Sequence, residues 1–271
     1  MYTATSLYKI DSLQTSFPGV KMYIKDESEH LNKTIKDRRN ESIITEASRL
    51  GVDKLVLITS GNNGYSLAKL AKGTETKVTC IVSRTISPKI LHKLESVAHD
   101  VIKVNLRDKI LRPEEIIAFA REKDDEVIWD VTNGYEDAYG GIVNEVFSQI
   151  DQVDYIVVPL GSGGIFVGVA EQLSAGFYKT RLIGVGPKAT YDSFADKLST
   201  PWSPYTRAIQ NYERSGHTVL RISESEIRKN YADYRNLCNC EPSAAIVFGA
   251  LDYIKPKAGE TIVFVNSGNS D

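Results

Sequence analysis

Residues 153–170 read VDYIVVPLGSGGIFVGVA, an apolar run that is interrupted by Gly161-Ser162-Gly163-Gly164 and then resumes with helical composition. The β-branched and aromatic residues of 155–158 predict a buried strand, and the apolar spacing of 165–173 predicts a helix. Glycines at such a junction let backbone N–H groups approach an anion, and the helix start adds the positive end of its dipole. The stretch therefore predicts a strand, a turn and a helix that together bind a phosphate group.

The glycine turn differs from the common nucleotide-binding motifs. Phe166 stands where G-x-G-x-x-G would have its third glycine, and no Lys-Ser or Lys-Thr pair follows as it would in a P-loop. We therefore expect a small phosphorylated cofactor rather than a dinucleotide or a nucleoside triphosphate. The alternative is a tight strand-to-helix turn without a ligand.

The rest of the chain alternates apolar runs with amphipathic segments, which is typical of an α/β fold with parallel sheets. We expect strands at 54–58, 78–82, 101–104, 127–131, 155–158, 181–185, 219–222 and 261–265. We expect helices at 64–71, 88–97, 113–123 and 141–150, another opened by a capping box at 223–226, and a buried helix at 243–253. The stretch 187–216 contains prolines and little periodicity, and we interpret it as a long surface or gating loop.

Composition narrows the class of protein. At 271 residues and 42% hydrophobic residues, the chain can form one large or two modest domains. The net charge is -2 and the basic residues are spread along the sequence, so we expect a small-molecule partner and no nucleic acid. No run approaches the roughly 20 apolar residues of a membrane span, and the first residues lack a signal-peptide core. We expect a cytoplasmic protein with no membrane partner.

The cysteines and histidines predict no metal site. Cys80, Cys238 and Cys240 form no recognisable disulfide framework, and the Cys-Asn-Cys pair has no further ligand at the usual spacing. The four histidines are scattered without a zinc-like spacing. Reduced, structural cysteines are the favoured interpretation.

Three further motifs carry polar groups. Thr59-Ser60-Gly61-Asn62-Asn63-Gly64 follows the predicted strand 54–58, and its hydroxyl and N–H groups can bind a carboxylate; an N-capped turn is the alternative. Lys36 is a candidate nucleophile in the segment 34–39, although a lysine among charged residues is ordinarily solvated. Ser267 follows the last predicted strand and offers a hydroxyl there.

The four motifs, in this order, resemble those of fold type II, or tryptophan synthase β-like, pyridoxal-phosphate enzymes. This group includes cysteine synthases, threonine synthases, and serine and threonine dehydratases. Residues 34–38 resemble the Ser/Thr-x-Lys-Asp-Arg segment of the group, and 59–64 its asparagine loop. Residues 161–164 resemble its phosphate loop, and 267–269 its final hydroxyl motif. One departure is His30-Leu31-Asn32-Lys33, which replaces the Asn-Pro-x-Gly stretch common before the lysine.

The resemblance implies pyridoxal 5'-phosphate as the cofactor and a role for each motif. Lys36 would form the Schiff base with the cofactor and, as a free amine, remove the Cα proton of the substrate. Asn62 would bind the 3′-oxygen of the ring, and Ser267 would face the ring nitrogen. The remaining site residues would bind the cofactor phosphate (Gly161, Ser162, Gly163, Gly164) or the substrate carboxylate (Thr59, Ser60, Asn63, Gly64).

The implied reaction is β-elimination or β-replacement on a serine-derived amino acid, through an aminoacrylate intermediate. A hydroxyl at the ring nitrogen does not stabilise a pyridinium, which suits expulsion of a β-substituent rather than transamination. The alternatives are a threonine synthase acting on phosphohomoserine, a serine or threonine dehydratase, and a non-catalytic regulatory protein that binds the cofactor. The loop at 59–64 resembles cysteine synthases, and so we favour β-replacement.

The resemblance also implies an architecture. We expect two three-layer αβα domains with mostly parallel sheets and the cofactor in the cleft between them. Residues 1–39 and 146–271 would form the large cofactor-binding domain, and 40–145 the small mobile domain. A homodimer is implied as well.

Overall fold

The computed structural model describes residues 4–13, 15–106, 110–189, 191–200 and 203–269. Its β-strands are β1 (Leu7–Lys9), β2 (Lys21–Asp26), β3 (Lys54–Ile58), β4 (Lys77–Ser83), β5 (Asp100–Val104), β6 (Ile128–Asp130), β7 (Tyr155–Pro159), β8 (Arg181–Pro187), β9 (Thr218–Ile222) and β10 (Thr261–Asn266). Its α-helices are α1 (Lys36–Leu50), α2 (Asn62–Ala71), α3 (Pro88–Glu95), α4 (Pro113–Ala120), α5 (Gly141–Phe147), α6 (Gly164–Ala175), α7 (Thr206–Arg214), α8 (Glu224–Cys238), α9 (Pro242–Ala245) and α10 (Ala250–Ile254). Short 3-10 turns lie at Glu27–Glu29, Glu136–Gly140, Asp196–Leu198 and Ile246–Gly249.

The chain divides into two compact units. The larger unit consists of Met1–Ile35 and Glu136–Asp271, and the smaller unit is Lys36–Tyr135. Residues 136–145, which the sequence-based division placed in the small domain, pack on α6 of the larger unit: a Cβ on Gly168 would lie 1.8 Å from the carbonyl oxygen of Glu136.

The larger unit is built on a six-stranded sheet with the order β1-β2-β10-β7-β8-β9. All neighbouring strands are parallel except the β1–β2 pair. Alternate residues of the central strands enter different cores, since Val157 and Phe264 pack on one face while Val158 and Val265 pack on the other. Helices α8 to α10 cover the first face, and α5 and α6 cover the second. Because both faces are buried, the strands are nearly continuous apolar runs.

The smaller unit repeats this layering around a four-stranded parallel sheet with the order β5-β4-β3-β6. Leu55 and Leu57 of β3 pack with α1, α2 and α3, whereas Val56, between them in sequence, packs with α4. The predicted α/β class with mostly parallel sheets is thus confirmed, and so are the eight predicted strands. No helix in the described part of the chain is long and apolar enough to span a membrane.

The interpretation of 187–216 as a long loop is wrong. The segment contains the 3-10 turn Asp196–Leu198 and the nine-residue helix α7. The helix begins after Pro204, and Ile209 and Tyr212 pack against the core beneath α6 at helical spacing. The apolar periodicity of α7 is short, and the prolines that precede the helix make the stretch 187–216 look irregular as a whole. The predicted helix 243–253 is also divided, into α9, a 3-10 turn and α10.

A buried lysine anchors the start of β3. The Lys54 side chain is 1% exposed, and its Nζ lies 3.0 Å from the carboxylates of both Glu122 and Glu126. Glu126 also accepts hydrogen bonds from the amides of Glu122 and Lys123, at 2.8 and 3.1 Å. These amides, together with Lys54, lower the pKa of Glu126 from 4.5 to about 2. The ionised carboxylate therefore holds the loop between α4 and β6 against β3.

We predict that Glu126→Gln removes a pH-dependent part of the stability. Because the folded-state pKa is lowered, the carboxylate stabilises the fold above about pH 4.5, and this contribution is lost as the pH falls through about 2. The difference in unfolding free energy between wild type and variant should be largest above pH 4.5 and should vanish near pH 2, as measured by urea denaturation. Glu75→Gln, at an exposed site of the same unit, is the control. A difference that is constant with pH would contradict the assignment.

We predict that Gly168→Ala destabilises the larger unit. Alanine in a helix interior is normally up to about 1 kcal/mol more favourable than glycine. Here the new Cβ would meet the backbone of Glu136, and we expect a net loss of about 1 to 3 kcal/mol. Thermal unfolding would measure it, with Glu171→Ala at an exposed site of the same helix as the control. A stabilised Gly168→Ala variant would show that the 3-10 turn does not pack on α6 as described.

Candidate functional site

The glycine loop Gly161–Gly164 connects β7 to α6, as the sequence predicts. Gly163 adopts φ +110, and a Cβ there would lie 2.7 Å from the Ile209 side chain, so only glycine fits this position. Within the described residues, the amides of Ser162, Gly163 and Gly164 donate no hydrogen bond to a protein acceptor. They lie at the positive end of the α6 dipole. The loop therefore has the free donors and the field that a phosphate requires.

The segment before α7 packs over this loop. The Ser203 hydroxyl donates to the carbonyl of Ser162, and the Tyr205 hydroxyl donates to Glu136. Tyr205 also lies 3.3 Å from where a Cβ of Gly163 would be. The stretch interpreted as a gating loop thus shapes the glycine loop from outside, a role for which its sequence carries no recognisable signal.

Ser267 and the segment that leads to Lys36 are joined by backbone hydrogen bonds. Thr34 and Gly268 form an antiparallel bridge, and the Ile35 amide donates to the Ser267 carbonyl at 2.9 Å. Lys36 follows Ile35 directly and is the first residue of α1. The structure therefore pairs the segment that ends just before Lys36 with the segment of Ser267, which is far from it in sequence.

The Ser267 segment and the glycine loop leave the same edge of the larger sheet. Ser267 follows β10 and Gly161 follows β7 closely, and these two strands are parallel neighbours. The end of β10 is fixed by Asn266, whose side-chain amide donates to Asp26 at 2.8 Å and to the carbonyl of Cys238 at 2.9 Å. A hydrogen bond to Cys240 and burial raise the pKa of the Cys238 thiol, so that the thiol stays protonated and unreactive.

The loop Thr59 to Gly64 lies between β3 and α2 in the smaller unit. The Thr59 hydroxyl accepts hydrogen bonds from the amides of Gly61 and Gly64, at 3.0 and 3.1 Å. Its own hydrogen is left as a donor, because the two amides use its lone pairs. Ser60 is exposed, and Asn62 and Asn63 are half-buried in the first turn of α2. The loop is thus folded around Thr59, with its other polar groups nearer the surface.

The start of α1 is tied to this loop by buried polar residues. Asn40 donates from its side-chain amide to the carbonyl of Asn63 at 3.1 Å and to the Ser66 hydroxyl at 2.9 Å. The Ser66 hydroxyl in turn donates to Asp37. Arg39 donates to Asn63 as well. The sequence does not predict the roles of Arg39, Asn40 and Ser66, because polar and charged residues at the start of a helix ordinarily indicate a solvated face.

The residues present fit pyridoxal phosphate. Its phosphate needs an anion-binding loop, which the three free amides of 162–164 provide. Its aldehyde needs a primary amine and its ring nitrogen needs a polar partner, and Lys36 directly follows the segment that pairs with that of Ser267. Lysine is the residue that forms Schiff bases with this cofactor. The chemistry of these groups therefore agrees with the one implied by the sequence motifs.

Comparison with solved structures shows the same fold in enzymes of different activity. A pyridoxal 5'-phosphate-dependent aspartate racemase superposes with a TM-score of 0.83 at 17% identity, over 99% of this chain and 91% of that chain. The O-acetylserine dependent cystathionine beta-synthase from Helicobacter pylori gives 0.82 at 19% identity, over 99% and 94%. The processed form of threonine deaminase isoform 2 from Solanum lycopersicum gives 0.78 at 19% identity, over 98% and 84%. At these identities the likeness establishes the fold and not the reaction.

Comparison with protein families identifies the chemistry more directly. The family described as "Pyridoxal-phosphate dependent enzyme" matches residues 1–268. Since this match extends over nearly the whole chain and agrees with the glycine loop, the lysine segment and the fold, the protein belongs to the family of pyridoxal-phosphate dependent enzymes.

Proposed function

We propose that this enzyme catalyses β-elimination or β-replacement on a serine-derived amino acid, with Lys36 as the residue that moves the Cα proton. The observation that carries the proposal is the pairing of 34–35 with 267–268, which joins the segment that leads directly into Lys36 to the segment of Ser267. In this proposal the cofactor is bound by the amine of Lys36 and faces the neutral hydroxyl of Ser267.

The neutral side chain of Ser267 favours loss of a group from Cβ. Pyridoxal phosphate, when bound, withdraws electrons from Cα of the attached amino acid and so makes its proton acidic. A carboxylate at the ring nitrogen would favour its protonated form, whereas a hydroxyl does not. An unprotonated ring withdraws electrons more weakly. The electron pair of the Cα–H bond then forms a Cα–Cβ double bond more readily as the Cβ substituent leaves. This supports elimination over transamination.

The other residues bind and orient. The amides of Gly161, Ser162, Gly163 and Gly164 would hold the phosphate, and Asn62 the 3′-oxygen of the ring. Thr59, Ser60, Asn63 and Gly64 would bind the substrate carboxylate. The Thr59 hydroxyl accepts from two loop amides, and so it can contribute to the carboxylate only by donating its hydrogen.

We predict that Lys36 is the attachment point of the cofactor. Borohydride reduction of the holoenzyme followed by peptide mapping should find a pyridoxyl group on Lys36. Lys36→Ala should lower kcat by about 10³-fold or more, because the Schiff-base amine and the base are lost together. Lys69→Gln, on the exposed side of α2, should keep wild-type turnover. A label on another lysine would refute the assignment.

We predict that O-acetyl-L-serine is turned over faster than L-threonine or O-phospho-L-homoserine. Acetate leaves Cβ more readily than hydroxide does, and in the third compound the phosphate is on Cγ. O-acetylserine turnover would be measured as pyruvate and ammonia, or as cysteine when sulfide is supplied, threonine turnover as 2-oxobutyrate and ammonia, and phosphohomoserine turnover as released phosphate. Turnover of phosphohomoserine or threonine with none of O-acetylserine would instead indicate a threonine synthase or a dehydratase.

A further inference from the structure

Arg39 is a buried guanidinium at the start of α1. Arg39 is 3% exposed, and its guanidinium donates five hydrogen bonds within the described part of the smaller unit. Nε donates to the carbonyl of Gly134 at 2.7 Å, and Nη2 donates to the carbonyls of Val131 and Asn133. Nη1 donates to the side-chain oxygens of Asn40 and Asn63, at 3.2 and 3.4 Å. Arg39 thus uses its full set of donors.

The acceptors of Arg39 are all neutral oxygens. Three are backbone carbonyls and two are side-chain amide oxygens. Among the described residues, no carboxylate accepts a hydrogen bond from this guanidinium. Neutral acceptors satisfy the donors of the guanidinium but do not offset its charge, so hydrogen-bond geometry rather than charge pairing determines what Arg39 holds in place.

The bond from Arg39 to Asn63 decides which way the Asn63 amide faces. A guanidinium has donors only, so Arg39 donates to the amide oxygen of Asn63 and cannot bond the amide NH₂ group, which is a donor as well. The NH₂ group is therefore directed away from Arg39. Asn63 is half-buried in the first turn of α2, and a fixed pair of N–H donors there suits an anion.

The same arginine also fixes the backbone of Asn63, through Asn40. Nη1 of Arg39 donates to the side-chain oxygen of Asn40. The Asn40 NH₂ group is therefore directed to the carbonyl of Asn63 and to the Ser66 hydroxyl. Arg39 therefore sets two amide orientations at once, and both determine the position of Asn63.

We propose that Arg39 is a positioning residue that orients the Asn63 side chain so that its N–H donors bind the α-carboxylate of the amino-acid substrate. The inference rests on the proposed function, since it concerns the carboxylate-binding loop of that site. In this arrangement the NH₂ group of Asn63 binds the substrate carboxylate, and the amide oxygen of Asn63 accepts the hydrogen bond from Arg39. In this proposal neither the Arg39 guanidinium nor the Asn63 side-chain amide binds the cofactor.

The two sides of this interaction can be tested separately. Asn63→Asp keeps two acceptor oxygens for Arg39 and removes the N–H donors; an acidic residue in the first turn of α2 is also favourable for the helix. Arg39→Met removes the orienting donors at similar side-chain length. Arg49→Met is the matched control, because Arg49 lies on the same helix with its side chain 69% exposed, and its ion pair among the described residues is with Glu46 at 4.0 Å.

The measurement is a titration of each holoenzyme with O-acetyl-L-serine, L-serine and L-threonine, followed by the visible absorbance of the bound cofactor. Cofactor affinity and thermal unfolding are measured in parallel. Asn63→Asp and Arg39→Met should each raise the half-saturating amino-acid concentration by about tenfold or more, the effect of losing one hydrogen bond to a charged group. Cofactor affinity should stay within about twofold of wild type, and Arg49→Met should behave as wild type throughout.

Each outcome bears on the inference. Wild-type amino-acid affinity in Asn63→Asp would overturn it, and so would a parallel loss of cofactor and amino-acid binding in a folded Arg39→Met, because that pattern indicates a general structural role. If Arg39→Met does not fold, Asn63→Asp alone decides. A wild-type protein that takes up the cofactor but responds to none of the three amino acids would overturn the proposed reaction, and this inference with it.

Discussion

The hydrogen-bonded pairing of residues 33–35 with 267–269 is the constraint that joins the ends of the two chain segments of the larger unit and positions the segment that leads into Lys36. The Asn269 amide donates to Lys33 at 3.0 Å, and a Cβ on Gly268 would lie 2.9 Å from the same carbonyl. Glycine at 268 is therefore what allows the two segments to approach so closely. The pairing fixes where α1 begins and which side chain begins it. The remaining parts of the proposed site, the glycine loop and the loop after β3, are positioned by the strands of their own units.

Buried cations have two kinds of partner: Lys25 and Lys54 lie beside carboxylates, whereas Arg39 donates to neutral oxygens. In the larger unit, Lys25 is fully buried, and its Nζ lies 2.6 Å from Glu145 and 3.6 Å from Glu27. Its charge is compensated by carboxylates, and it joins β2 to α5 as a structural element. In the smaller unit, Arg39 donates to neutral oxygens. The contrast explains why we assign a stabilising role to the lysines and a positioning role to the arginine.

The sequence predicted the parallel strands and the glycine loop because their signals are local. Apolar runs such as that of β7 indicate buried strands, and glycine at 163 follows from the backbone conformation of the turn. The burial of Arg39 could not be predicted, since its acceptors come from residues 131–134 and from Asn63. These contacts exist only after β6 and α2 have packed beside α1. The cover over the glycine loop was missed for the same reason, because Ser203 and Ser162 meet only in the folded unit.

The position of β10 in the larger sheet has a consequence for the order of assembly. β10 lies between β2 and β7, yet it comes after every other strand in sequence. During synthesis the larger sheet thus lacks a central strand until translation has passed residue 266, and until then β2 can pair only with β1, on its other side. The smaller unit is one continuous segment and can fold while the chain is still being made. Contacts of such long sequence separation slow folding, so completion of the larger sheet, which also brings Ser267 into place, is the step at which the nascent chain would be most exposed to aggregation.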